Sequence, residues 1–234
     1  MSDAKIPLQE LIRPGALLAD LPEDLLTSLA EQGRERTLTK GEVLFHKDDP
    51  GDYLAVVLSG SLKISTYSPA GTETVVNLLH PGDVVGELAA IDGASRSADA
   101  AALEPTELLI LTRSVVSNMM QTDPVFSACI ARALCEKLRI ASNALESTTL
   151  DMGRRVASSL LRLAGQHGSE DEDGNFTCEI SIDQGTLARY SGLTRSNLNR
   201  VLKRFERAGV SSHEKGVLSI YDTEWLEDYA ISED

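Results

Sequence analysis

Hydrophobic residues change their rhythm twice along this 234-residue chain. Pro22 opens a first stretch, with Glu23 and Asp24 behind it and Leu25, Leu26 and Leu29 on one side, which predicts a short helix to about Glu31. From Thr37 to Leu111 the apolar positions contract into β-prone runs at 43–45, 53–58, 62–67, 74–79 and 108–111. Gly41, Gly51, Gly60, Gly71, Gly82, Gly86 and Gly93 separate these runs, and glycine at such intervals supplies the positive-φ corners of an antiparallel roll or barrel. A generic β-sandwich fits the same spacing.

Past Thr112 glycine disappears until Gly153, and the rhythm lengthens. Ala131, Leu134, Leu138, Ala141, Leu145 and Thr148 recur at alternating steps of three and four, an a/d seam across more than two heptads. Such a seam usually meets its copy in a second subunit; the alternative is packing against the chain's own β region. Asp151 to Gly153 interrupts it as a hinge, and a new helix follows from Arg154 to Gln166, apolar at Val156, Leu160, Leu161 and Leu163. Gly168 to Gly174 contains the consecutive acids Glu170 to Asp173 and is expected to be a solvated loop. Then come a strand (Thr177 to Ser181), a helix (Asp183 to Ser191), a turn at Gly192, a helix (Thr194 to Ala208) and a hairpin (Val210 to Tyr221). The outcome is an α+β chain ending in helix, turn, helix and wing.

The formal net charge of −14 argues globally against a nucleic-acid partner. Locally the balance reverses. Between Ser181 and Gly216 the bases Arg189, Arg195, Arg200, Lys203, Arg204, Arg207 and Lys215 face only Asp183, Glu206 and Glu214, a stripe basic enough for groove docking. Cys129, Cys135 and Cys178 have no CxxC spacing and no histidine cluster beside them, so they read as structural thiols of a reducing cytoplasm, with no metal site. Asp3, Glu10, Asp20, Glu23 and Asp24 break up the first thirty residues, so neither a signal peptide nor a membrane span is expected. The expected location is cytoplasmic.

Candidate chemistry gathers in two places. In Val85 to Ala98, Glu87 and Arg96 flank a small-residue turn that is otherwise uncharged except at Asp92. A guanidinium offers a planar fork to phosphate oxygens, a carboxylate accepts from a sugar hydroxyl, and the amides of Gly86, Leu88 and Ala89 can approach an anion. The chemistry is binding, not catalysis, since no nucleophile with a base and an orienting partner is visible, and no enzyme is expected. A plain ion pair between Glu87 and Arg96 is the alternative. In the second place Leu187, Ala188 and Leu193 pack two helices around Gly192, while Val201, Leu202 and Phe205 anchor the second helix. Thr194, Arg195, Ser196, Asn197, Asn199, Arg200 and Lys203 then face outward or line the helix N-terminus. Arg195 suits guanine, Asn197 or Asn199 adenine, and Lys203 and Arg204 phosphates.

From about Leu17 to Tyr221 the chain resembles the cyclic-AMP receptor protein and FNR family of bacterial transcription regulators. GlyGlu at 41–42, AspProGlyAsp at 49–52, SerGly at 59–60, ProGlyAsp at 81–83 and GlyGluLeuAla at 86–89 follow the order of that family's β-roll. Gly86 through Ser97 resembles the phosphate-binding cassette of cyclic-nucleotide domains, with a Glu-to-Arg spacing nearer that of the eukaryotic kinase regulatory subunits. Residues 184–209 resemble the helix-turn-helix. The resemblance implies an N-terminal helix and cyclic-nucleotide-binding-like β-roll (1–113), a long dimerisation helix (114–150) and a C-terminal winged helix-turn-helix domain (151–234).

It further implies that Arg96 pairs with a cyclic phosphate, Glu87 with the ribose 2′-hydroxyl, and Ser97 with phosphate or base. Where the family presents a hydroxyl to adenine, alignment places Ala141, leaving Ser142 and Asn143 as polar candidates. Asp99 adds a charge where the cassette is ordinarily uncharged. Ser196 replaces the family's usual acid, which implies a different operator. The implied partners are a homodimeric copy, a palindromic double-stranded DNA operator and RNA polymerase, with cyclic AMP or cyclic GMP as effector and no bound cofactor. Sister sensors fit less well: an iron–sulfur centre needs clustered thiolates, and His80, before Pro81, reads as a solvated loop histidine and not a haem ligand. Two alternatives stay open, the same regulator answering another effector or none, and a cyclic-nucleotide module acting on a protein partner.

Overall fold

In the computed structural model, which describes residues 21–147, 150–170 and 176–231, the first apolar stretch is helix α1 (Glu23–Gln32), burying Leu26 and Leu29. Eight strands follow: β1 (Arg34–Leu38), β2 (Val43–Phe45), β3 (Tyr53–Ser59), β4 (Leu62–Tyr67), β5 (Glu73–Leu79), β6 (Val84–Val85), β7 (Asp99–Ala102) and β8 (Thr106–Thr112). They form two four-stranded antiparallel sheets ordered β1-β8-β3-β6 and β2-β7-β4-β5. The unbroken apolar run of β3 is explained by its place between two cores. Side chains alternate along a strand, so Leu54 and Val56 enter the core under the helices while Ala55 and Val57 enter the core between the sheets.

Six of the seven expected corner glycines have positive φ; Gly51 does not. Its constraint is space, since a Cβ there would lie 2.0 Å from that of Ala89. Strands β1 and β7 had no sequence signal, one being mostly exposed and polar and the other alanine-rich. The cassette is also more than a turn: Glu87–Asp92 forms a helix, α2, between left-handed Gly86 and Gly93.

One continuous helix was expected after 114, but two are found. Helix α3 (Arg113–Thr122) ends at Asp123, whose carboxylate then accepts from Val125 N at 2.8 Å and Phe126 N at 2.9 Å to start α4 (Pro124–Ser147). Phe126, Cys129 and Ile130 of α4, which precede the seam, pack on the roll together with Leu134 from within it. Ala131, Leu138 and Ala141 are exposed, Leu138 by 68%. The side chain of Leu145, and Thr148, lie outside the described residues.

The chain divides into two compact units, one built on the roll and reaching Lys137, the other running on from Leu138. In the second, the expected hinge at Asp151 is a helix cap, its carboxylate accepting from Gly153 N at 2.7 Å and Arg154 N at 3.2 Å. Helix α5 (Met152–His167) buries Val156, Leu160 and Leu163. Strand β9 (Ser169–Glu170) pairs with β10 (Phe176–Ser181), so the first acid of the expected loop is in a ladder; 171–175 lie outside the described residues. Helices α6 (Gln184–Tyr190) and α7 (Arg195–Arg207) precede the wing strands β11 (Ser211–Glu214) and β12 (Val217–Ile220), giving a sheet ordered β11-β12-β10-β9. A further helix, α8 (Thr223–Ile231), was not anticipated. Its Trp225 and Tyr229 each sit 5.4 Å from the ring of Phe205, closing the core behind α7. No helix among the described residues is long and apolar enough to cross a membrane.

Candidate effector and nucleic-acid sites

Strand β6 delivers the chain to Gly86, whose φ of 81° turns it into α2. The chain returns at Ser95 and drives Arg96 into the roll, where it is only 2% exposed. Its guanidinium carbon lies 4.3 Å from the ring centres of both Phe45 and Tyr53. A planar, weakly hydrated cation suits two aromatic faces. Nη1 donates to Gly86 O at 3.0 Å, while Nε and Nη2 are buried without a partner. Unpaired buried donors are costly and rare, so two on one cation have capacity for an acceptor such as water or an anion. Tyr53 itself donates to Leu44 O at 3.2 Å, and burial raises its phenol pKa against the opposing pull of Arg96.

Glu87 is equally enclosed, at 3% exposure. Its Oε1 accepts from Lys137 Nζ at 2.8 Å, and Oε2 has no partner. The alternative of a Glu87–Arg96 pair is therefore not what forms, because each charge has found a different neighbour. Lys137 also donates to Val84 O at 2.9 Å, tying α4 to β6 beside the cassette. Sequence reasoning missed Lys137; the available signal was its place three residues beyond Leu134, on the stripe that packs against the roll.

The rest of the expected set divides. Gly86, Glu87, Leu88 and Ala89 form the first turn of α2, with Leu88 exposed and Ala89 buried, and Ala90 N makes the first intrahelical bond, to Gly86 O. Ser97 beside Arg96 is exposed, as is Ser142 on α4; the side chain of Asn143 lies outside the described residues. The carboxylate of Asp99 accepts from Lys47 N at 2.6 Å and pairs with His46 Nδ1 at 3.4 Å. His80, expected to be solvated, is half-buried with its Nε2 withdrawn from solvent. Of the thiols, Cys129 and Cys178 are buried and Cys135 is exposed; no group of metal-ligating side chains forms among the described residues.

In the second unit, α6 begins at Asp183, whose carboxylate takes Gly185 N at 2.8 Å, Thr186 N at 3.0 Å and Thr186 Oγ1 at 2.7 Å. Burial pushes the Asp183 pKa up, but these bonds and nearby Arg189 carry it below the ordinary carboxylate value. Gly192 makes the turn with φ 62°, and Arg155 Nη2 of α5 donates to its carbonyl at 2.8 Å. Thr194 caps α7 by accepting from Asn197 N at 3.3 Å. Leu198, Val201, Leu202 and Phe205 form the buried back of α7, a spacing of three and four that leaves Arg195, Ser196, Arg200 and Lys203 in solvent.

Asn197 and Asn199 are half-buried. Asn199 and Lys203 line a cavity of about 180 Å³ between α7 and the wing, together with Gln184, Glu206, Ser212 and His213. The wing is held by His213 Nε2, 2.7 Å from Ile182 O, and by Ile182 N donating to Gly216 O at 2.8 Å. Arg204, expected at phosphates, lies over the ring of Tyr229 at 4.6 Å. Arg200 Nη2 reaches Met152 Sδ at 3.8 Å.

Residues 35–123 match the model of the cyclic nucleotide-binding domain, and residues 154–229 that of the Crp-like helix-turn-helix domain. A cyclic AMP receptor protein of Thermus thermophilus is 30% identical over 211 residues, covering 90% of this chain and 94% of its own length. A CRP-like cAMP-activated global transcriptional regulator of Mycobacterium tuberculosis is 26% identical, covering 94% and 98%. Among solved structures, FixK2 of Bradyrhizobium japonicum superposes with a TM-score of 0.75 over 86% of this chain and 99% of its own, at 19% identity, a likeness of fold.

Proposed function

The chain belongs to the cyclic-AMP receptor protein and FNR family of transcription regulators, and from that premise we propose a homodimer that reads a palindromic operator under control of a cyclic nucleotide held at Arg96 and Glu87. Cyclic AMP stands ahead of cyclic GMP. The support for that order is the cAMP-activated relative from M. tuberculosis.

The observation that carries the proposal is the buried guanidinium of Arg96, with Nε and Nη2 unspent. A cyclic phosphate supplies two acceptors to that fork, and a ribose 2′-hydroxyl donates to the unused Oε2 of Glu87. The first turn of α2, from Gly86 through Leu88 and Ala89, and the hydroxyl of Ser97 border the same anion; Ser142 and Asn143 are the positions that the family resemblance alone assigns to the base. Because Lys137 holds the other oxygen of Glu87, a ligand there changes the load on α4. The exposed Ala131, Leu138 and Ala141 offer α4 an apolar face for a second copy.

Arg195, Ser196 and Arg200, with Asn197 and Asn199, read base edges, and Lys203 holds phosphate. With Ser196 in place of an acid, the operator differs from the family's usual one. The effector acts by binding the DNA-competent arrangement better than the other. Isothermal titration of cyclic AMP and cyclic GMP into the wild type and Arg96→Ala tests the proposal. Heat with the wild type alone is expected, and no heat with either nucleotide in the wild type overturns the effector assignment.

A further inference from the structure

Asp99 is the residue at which this chain departs from the uncharged cassette pattern, and its carboxylate faces the 46–50 loop. It accepts from Lys47 N at 2.6 Å and sits 3.4 Å from His46 Nδ1. That loop brackets the backbone of Arg96 on both sides: Asp48 N donates to Arg96 O, and Arg96 N donates to Asp49 O, each at 2.9 Å. Pro50 then bridges to Ser95. The loop has its own internal latch, His46 N to Asp49 Oδ2 at 2.8 Å, and it bends through Asp48 at a φ of 69°, a left-handed conformation that aspartate tolerates better than most residues. The residue before His46 is Phe45, whose ring covers the guanidinium.

We propose that Asp99 is a positioning residue for Arg96, acting through the 46–50 loop. One carboxylate pins the loop at Lys47. The loop sets the backbone height of Arg96 and the place of Phe45, and so aims the two unpaired guanidinium nitrogens. The proposal rests on the cyclic-nucleotide reading for its affinity readout only, since the geometry of Arg96 can be followed without a ligand.

The test compares wild type, Asp99→Ala and Asp99→Asn by titration with cyclic AMP and cyclic GMP, and by the ¹⁵N-edited signal of the Arg96 Nε–H, identified by its loss in Arg96→Lys. Asp99→Ala is expected to weaken nucleotide binding roughly tenfold, the value of one lost hydrogen bond, and to shift or broaden the Arg96 signal. Asp99→Asn keeps an acceptor for Lys47 N and is expected to recover both. Should Asp99→Ala melt below the titration temperature, Asp99→Val, which suits the strand it opens and has no acceptor, replaces it. An unmoved Arg96 signal, nucleotide binding within about twofold of wild type, or an Asn variant as weak as the Ala variant overturns the proposal. If the wild type binds neither nucleotide, the effector assignment falls, and the Arg96 signal alone decides the role of Asp99.

Discussion

In the cassette, Arg96 and Glu87 lie inside the roll with hydrogen-bonding capacity unspent, whereas Arg195, Ser196 and Arg200 stand in solvent on a helix anchored by its apolar back. The first arrangement concentrates binding in a few groups whose removal leaves a cavity or an unpaired charge. The second spreads it over several groups, each weak, screened by salt and free to change without disturbing the fold. On the proposed function, a sensor and a reader of a polyanion place the same residue type, arginine, in opposite surroundings.

The sharpest way to break this contrast is at Arg96. Arg96→Ala is expected to weaken cyclic-nucleotide binding by at least about 100-fold, because two charge-assisted bonds are lost together. Titration calorimetry should find Arg195→Ala unaltered in the same assay. Next in size, Arg195→Ala combined with Arg200→Ala is expected to lower affinity for a selected operator about 10- to 100-fold, with nucleotide binding untouched. Fluorescence anisotropy at fixed salt measures it, and equal binding by the double variant would make the basic helix a solvated face.

A smaller effect separates the two turn glycines. Gly86 combines a φ of 81° with Arg96 Nη1 2.3 Å from the point where an alanine methyl would lie, in a place where the guanidinium is packed between two rings. Gly192 has a φ of 62° and meets Arg155 Nη2 at 2.2 Å, the far end of a flexible side chain. Gly86→Ala should cost about 2–3 kcal/mol and Gly192→Ala about 1 kcal/mol, compared by thermal or urea unfolding.

The smallest effect concerns acid. The folded-state pKa of Asp183 is lowered, so its contribution is complete above the unfolded value of 3.8 and is lost as pH falls from there through the folded value. In the roll, the corresponding cap of α3 is the neutral Thr112. Asp183→Asn should therefore cost the winged unit about 1 kcal/mol or less near pH 7 and flatten its acid unfolding, leaving the roll unchanged. Amide exchange resolved by residue distinguishes the two units.

The same contrast governs how much could be read from the chain. The helix-turn-helix was legible to within a residue or two because its amphipathic spacing and caps, Asp183 and Thr194, are local signals. Glu87 and Arg96 were legible as a chemical pair, but their surroundings were not. Phe45, Tyr53 and Lys137 reach the cassette from distant parts of the chain, and no local pattern announces such contacts. Two misses were avoidable in principle. Asp123 followed by Pro124 is a helix start in the middle of the expected long helix, and Trp225, Leu226 and Tyr229 have the spacing of a helix that packs on a core. The alanines of β7 carried no comparable signal, since their strand is imposed by its neighbours β2 and β4.

The measurement that bears most directly on the link between the two regions is operator affinity with and without cyclic AMP, for wild type and Arg96→Ala, on a duplex selected from a random pool. The wild type should tighten by at least about tenfold on adding nucleotide, and Arg96→Ala should bind with its unliganded affinity throughout. Equal tightening in both proteins, or none in the wild type, would contradict the account.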